Sequence, residues 1–253
     1  MSSRAYDDER LAGAYEQGNE MPEASLRAWV ELFASAVPGP ASAIVEVGAG
    51  TGMFSAAMAR WIEGAGVLAV DPSEAMLSQA RRHHPHPAVR YVTGSAEAVP
   101  ARAGSFDLAL LSRVIHHIPD RPRAVRELAR VVRPGGRVVV RTTFRERLDA
   151  AVYDYWPPLR AVDEQRFPSG EDVVADFTGG GFAHLGTTSF AQPVTASLAD
   201  YHDRLATQPQ SKFAHLTPDQ FRTGLRRLEA AARTDGSRPV LERYDVAVFA
   251  RTP

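Results

Sequence analysis

The largely apolar run Ala43–Val47 carries Glu46 near its end, and Gly48, Gly50 and Gly52 follow directly on it. Glycine lacks a Cβ, so a turn built on it can be tight and a ligand can lie against its backbone. The helical pattern that starts at Met53 offers that turn free N–H groups and a positive dipole end, which favours a carboxylate or phosphate. A second apolar run, Val67–Val70, ends in Asp71, nineteen residues after Gly52. An acid at the tip of a second strand can accept hydrogen bonds from a ribose diol. These residues together predict a nucleoside site at the carboxyl edge of a parallel sheet.

The dinucleotide fingerprint is G-x-G-x-x-G, but the place of its third glycine holds Met53, and the spacing is G-x-G-x-G. A carboxylate at Glu46 is a poor neighbour for a pyrophosphate and suits a ligand with a cationic end. S-adenosylmethionine fits, with its amino group, carboxylate, sulfonium and ribose. Further segments follow in order: Val70-Asp71-Pro72-Ser73, Gly94-Ser95-Ala96-Glu97-Ala98-Val99-Pro100, Phe106-Asp107-Leu108 through His116-His117-Ile118-Pro119-Asp120, and Val132-Arg133-Pro134-Gly135-Gly136-Arg137. From about Ile44 to Arg141 the chain resembles the small, stand-alone class I S-adenosylmethionine-dependent methyltransferases. The resemblance implies that Gly48, Ala49, Gly50 and Gly52 line the methionine part of the cofactor, with Glu46 near its amino group. It implies that Asp71, with Pro72, holds the ribose hydroxyls, and that Ser95, Ala96 and Glu97 form the adenine loop. Serine stands where relatives often have aspartate. Met76 is expected on the adenine face or in the core. Ser112 and Arg113 would lie beside the reactive methyl. His117 and His116 are the candidate bases, since a histidine titrates near working pH, although a packing role for the pair stands beside that one. Tyr15 belongs to a segment resembling the family's lid over the cofactor. The arginine usual a few residues later is replaced by Gly18-Asn19-Glu20.

The 253 residues are 44% apolar, enough for one good core, and their formal net charge is −1. That balance weighs against a nucleic-acid substrate, which would call for clustered Lys and Arg. Lys212 is the single lysine, a bias expected of a GC-rich bacterial genome. The absence of cysteine excludes disulfides, thiolate zinc ligands and cysteine nucleophiles. The charged N-terminus shows no signal peptide, and no apolar run approaches a membrane span, so a cytoplasmic protein is expected. His83, His84 and His86 read as an exposed loop, since their spacing fits no helical ligand pair, and no metal is expected. Arg222, Arg226, Arg227 and Arg233 read as a solvated helix face.

Strand patterns at Ala43–Val47, Val67–Val70, Val89–Val92, Phe106–Leu111 and Arg137–Arg141 must position these residues. They alternate with helical patterns at about Met53–Glu63, Ser73–His83 and Arg121–Val132, which predicts βαβ units. A helix at Ser25–Val37 precedes them. Beyond Thr142 come an aromatic, proline-broken stretch, a helix at Glu171–Phe177, a strand near His184–Phe190, helices near Leu198–Thr207 and Thr217–Arg233, and a strand at Tyr244–Ala250. The expected fold class is α/β: a doubly wound, seven-stranded Rossmann-like sheet, mostly parallel with the last strand antiparallel, helices on both faces, and a helical cap. The expected organisation is one domain: lid helices over 1–40, a cofactor-binding core over 41–144, and the rest of the sheet over 145–253 with cap insertions at about 145–170 and 196–238. The aromatics of 153–167 are expected to give an enclosed, mostly apolar substrate pocket. The function expected is methyl transfer to O, N or C of a small molecule. A tRNA or protein methyltransferase, or a non-catalytic cofactor-binding subunit, are the alternatives. A small-molecule substrate and no membrane are the expected partners, with a homodimer as the assembly to test.

Overall fold

The computed structural model describes residues 21–206 and 211–253, apart from 38 and 40–42. Seven strands form one sheet: β1 (Ala43–Val47), β2 (Gly66–Asp71), β3 (Val89–Thr93), β4 (Phe106–Ser112), β5 (Val132–Thr142), β6 (Phe182–Thr195) and β7 (Val240–Arg251). Their order is β3-β2-β1-β4-β5-β7-β6, with β1 to β5 parallel and β7 antiparallel to both its neighbours. The strand order reverses between β1 and β4. In open α/β sheets that switch point is where a crevice opens beyond the carboxyl ends.

The central strands are apolar on both faces, because helices cover both. Val45 and Val47 face a core shared with Leu111, Val140 and the helices α4 (Arg121–Val131) and α7 (Gly170–Gly179). Ile44 faces the opposite core, with Leu110, Val139 and the helices α1 (Glu23–Ser35) and α2 (Met53–Trp61). Side chains alternate along a strand. Glu46 therefore belongs to the Ile44 face, and Arg141 to the Val139 face, which is the same one. Helix α3 (Glu74–His83) begins at Ser73, whose hydroxyl caps it by accepting from the Met76 N–H at 3.2 Å.

The remaining elements are α5 (Val152–Tyr155), α6 (Pro158–Arg166), α8 (Leu198–Ala206) and α9 (Pro218–Asp235). They share a separate core made of Leu148, Val152, Tyr153, Tyr155, Trp156, Leu159, Leu198, Tyr201, Leu205, Phe213, Phe221, Leu228 and Val240. Trp156 is its centre: the ring stacks on Phe221 at 5.8 Å and its Nε1 donates to the Phe221 carbonyl at 3.1 Å. Gly224 admits that ring, since a Cβ there would lie 2.1 Å from Trp156 Nε1. This narrows the expectation of an aromatic-walled substrate pocket. Tyr155 and Trp156 are buried in the cap's own core, while Tyr153 and Phe167 also line a small cavity of about 50 Å³ beside Arg113, Glu242 and Tyr244. These helices meet the sheet at its β6–β7 edge, through Val194 and Val240, so their aromatics bury largely against one another. No helix among the described residues is long and apolar enough to cross a membrane, and none of their side chains cluster as a metal site.

Candidate functional site

The crevice at the switch point holds two adjoining chambers. The larger, about 550 Å³, is lined by Val47, Gly48 and Gly50 from the β1 turn, Asp71, Pro72, Ser73 and Met76 from the β2 tip, Gly94–Glu97 after β3, and Ser112, Arg113, Val114, His117, Ile118 and Pro119 at and beyond the end of β4. The smaller, about 210 Å³, lies on the Glu46 side of the same turn. Gly48, Gly50, Ser112 and Arg113 line both, so these four residues form the waist.

The glycine turn is pinned from three sides. The Gly48 and Ala49 N–H groups donate to the Val70 carbonyl at 2.8 and 3.0 Å. The Gly50 N–H donates to Asp71 Oδ2 at 2.8 Å, and the Ser73 N–H to Asp71 Oδ1 at 2.9 Å. Asp71 thus shapes the turn as well as lining the larger chamber. Gly48 has φ +74, and a Cβ on it would meet Val114 Cγ2 at 2.3 Å, because the chain leaving β4 crosses over it there. Among the described residues Arg113 is the non-glycine with positive φ, at 57. Its N–H is held by the Arg141 carbonyl at 2.7 Å. Such a conformation costs of order 1–3 kcal/mol and persists where the surroundings over-determine it.

Glu46 is 2% exposed and accepts from the Ser55 hydroxyl. Burial, aided by the nearby Asp71 charge, pushes its carboxyl up to about 8, against the pull of Ser55. It lines the smaller chamber. Ser95, Ala96 and Glu97 line the far end of the larger one, with Met76 and Pro72. His117 lines it as well. Burial, followed by the Arg166 and Arg113 charges, pushes that imidazole down to about 4, so it is neutral at pH 7. His116 lines neither chamber. It stacks between His117, at 4.1 Å, and Phe167, at 4.2 Å, and its Nδ1 has no hydrogen-bond partner. Burial and the neighbouring cations hold its pKa well below the ordinary histidine value. The geometry therefore gives His116 a packing role. Gly52, expected against the cofactor, also lines neither chamber. Its φ of +82 starts α2, and a Cβ there would strike Tyr91 at 2.7 Å and Ala80 at 2.9 Å. Tyr15 lies outside the described residues.

Several residues of the smaller chamber carried no sequence signal of a role. Arg141 ends β5 and is 2% exposed. Its guanidinium lies 3.8 Å from the Tyr244 ring centroid, 4.4 Å from Trp29 and 5.4 Å from Phe54. It donates to Ser112 Oγ at 3.2 Å and Gln192 Oε1 at 3.1 Å. Glu242 accepts from the Tyr244 hydroxyl at 2.6 Å. Burial acts to raise the Glu242 pKa but is outweighed by Arg113, Lys212, Tyr244 and Arg204, so the group stays below the usual glutamate value. Gln192 sits directly opposite Glu242 in the β6–β7 register. The signal available in advance was an arginine closing an otherwise apolar strand, Val138-Val139-Val140-Arg141.

A mostly parallel, doubly wound sheet with a crevice of this kind defines the Rossmann-like methyltransferase fold class. Residues 45–140 match the family model for the methyltransferase domain. A methyltransferase from an antibiotic biosynthesis pathway of Anabaena variabilis superposes with TM-score 0.73 at 24% identity, covering 88% of this chain and 96% of that one. A geranyl diphosphate methyltransferase in complex with S-adenosylmethionine superposes with TM-score 0.58 at 17% identity, covering 91% and 90%. Both likenesses concern the fold. In sequence, a malonyl-[acyl-carrier protein] O-methyltransferase of Erwinia pyrifoliae is 37% identical over 134 residues, or 53% of this chain and 48% of the relative. The chain thus spans about half the length of that relative.

Proposed function

We propose that this chain binds S-adenosylmethionine in the larger chamber and transfers its methyl group, through the waist, to O, N or C of a small-molecule acceptor in the smaller chamber. The observation that carries this reading is the junction of the two chambers at Gly48, Gly50, Ser112 and Arg113. Methyl transfer is an in-line displacement and needs donor and acceptor on opposite sides of one short gap.

The residues present fit the cofactor. Asp71 offers a carboxylate in the larger chamber where a diol would need acceptors, and Glu46 offers one in the smaller chamber, which the amino end of the cofactor would meet across the waist. A volume of about 550 Å³ lies within the range of roughly 300–1,000 Å³ usual for small-ligand sites. When bound, the cofactor supplies an activated methyl on a sulfonium, and the hard chemistry is its own. The chain's part is to orient. Asp71 and the Ser95–Glu97 loop would hold the nucleoside end. Gly48 and Gly50 let backbone approach, and Glu46 ionises against the ammonium. Arg113 and Ser112 fix the wall at the reacting centre. Alignment of this kind can contribute about 7–11 kcal/mol in favourable cases. His117, neutral and weakly basic, is a poor general base, so we assign it to shaping the wall beside the methyl. Calorimetry with S-adenosylhomocysteine, followed by incubation with methyl-labelled cofactor and a low-mass bacterial extract, tests the reading. Binding with label in a small molecule supports it, whereas label only in protein or RNA refutes the acceptor class.

A further inference from the structure

The smaller chamber has an unusual floor. Arg141, buried at 2% exposure, has neutral hydrogen-bond partners among the described residues, Ser112, Gln192 and Tyr244. A guanidinium carries five N–H donors, and the Nε of this one has no partner at all. A buried cation without a counter-charge is expensive. The rings of Trp29, Phe54 and Tyr244 offset part of that cost. Two more guanidiniums, Arg113 and Arg204, line the same chamber, and both act on Glu242. Glu242 answers them and reaches Arg141 only as a longer-range charge; among the described residues no carboxylate pairs directly with the Arg141 guanidinium. The aromatic cage is also already filled by the protein's own cation, so it is closed to an ammonium-bearing acceptor.

We propose that the methyl acceptor carries a carboxylate and that this carboxylate seats against Arg141 in the smaller chamber. The inference rests on the proposed cofactor reading and adds the acceptor's chemical class. Guanidinium and carboxylate are geometrically matched. With the cofactor in the larger chamber, an acceptor anion supplies the directly paired negative charge that Glu242, acting at longer range, does not. Arg204, which donates to the Val194 carbonyl at 3.2 Å, adds its charge to the same chamber and favours entry of an anion. The chamber is small, so the acid-bearing end of the acceptor fills it and the reacting atom lies toward Ser112 and Arg113.

The test begins with S-adenosylhomocysteine alone, by calorimetry. Failure at that step sinks the cofactor reading and not specifically this one. The loaded protein is then titrated with acetate, propionate and benzoate, each beside its primary amide and the corresponding amine. The acids should bind at millimolar concentration or better, at least tenfold tighter than the amides and amines. Arg141→Gln should abolish the preference while leaving S-adenosylhomocysteine affinity within about threefold. If that variant does not fold, Arg141→Lys, which keeps the charge, should retain part of the preference, and the acid–amide comparison on the natural protein stands by itself. Equal binding of amides or amines, or no binding by any acid, would overturn the proposal. So would a Gln variant that loses the nucleoside ligand, because Arg141 would then serve the cofactor's own carboxylate.

Discussion

Glu46 should make cofactor binding release a proton. Its carboxyl is pushed up to about 8 in the ligand-free protein from an ordinary value of 4.5. At pH 7 the group is therefore roughly nine-tenths protonated, and a cationic amino group beside it must first expel that proton. S-adenosylhomocysteine affinity should rise roughly tenfold between pH 6 and pH 7 and level off near pH 8, which corresponds to about 1.4 kcal/mol per pH unit. Calorimetry in two buffers of different ionisation enthalpy should report close to one proton released per complex at pH 6 to 7. Glu46→Gln should remove the proton release and the pH slope together and leave a weaker, flat affinity. The same shift has a sign for folding. The folded pKa lies above the unfolded one, so ionising Glu46 costs stability as pH rises from 4.5 through 8. Above pH 8 the penalty approaches about 4–5 kcal/mol, taking about 1.4 kcal/mol per unit, and Glu46→Gln should raise the ligand-free melting temperature there. A natural protein with pH-independent affinity and no proton exchange would refute the assignment of Glu46 to the amino group.

Asp71→Ala should cost binding twice over, through the lost diol acceptor and through the Gly50 and Ser73 N–H groups it now holds. Loss of S-adenosylhomocysteine affinity by a hundredfold or more is expected, about 3 kcal/mol, and an affinity within threefold of the natural protein would contradict it. His117→Ala should leave no titration near pH 6.5 to lose, since the natural imidazole lies at about 4. A kcat profile with a histidine inflection near 6.5 that vanishes in the variant would restore it as a base. His116 and His117 are depressed in the folded state, so their contribution to stability is full above the unfolded value of 6.5 and is lost as pH falls below it. Thermal unfolding between pH 7 and pH 4 should show that loss, and His116→Phe should reduce it. Gly224→Leu should break the cap by displacing Trp156. A fall of several degrees in Tm, with a changed near-ultraviolet tryptophan signal, is expected from overpacking of about 1–3 kcal/mol, and an unchanged melt would argue against the cap's core as described.

The sequence by itself determined the sheet and half of the site. The apolar strands, the glycine turn and Asp71 are local signals, because a strand covered on both faces needs a continuous apolar run and a tight turn needs glycine. Ala43–Val47 was legible to the residue, and so were the Asp71, Ser95–Glu97 and Ser112–Arg113 positions around the larger chamber. Strand ends were less legible: β5 begins at Val132, where it pairs with Phe106 of β4 across a register shift, and β6 runs on to Thr195 along β7. The tertiary structure alone decided what lies across the waist. Arg141, Gln192, Tyr244 and Glu242 come from three strands whose register, not their sequence spacing, brings them onto one face. It also decided which way ambiguous residues turn. The aromatics of 153–167 look like a substrate wall in sequence, but the cap, which meets the sheet at its β6–β7 edge, takes Tyr155 and Trp156 into its own core and leaves Tyr153 and Phe167 beside a small cavity. Gly52 and His116 read like site residues because they sit beside site residues in the chain. Packing against Tyr91 and Phe167 fixes them elsewhere.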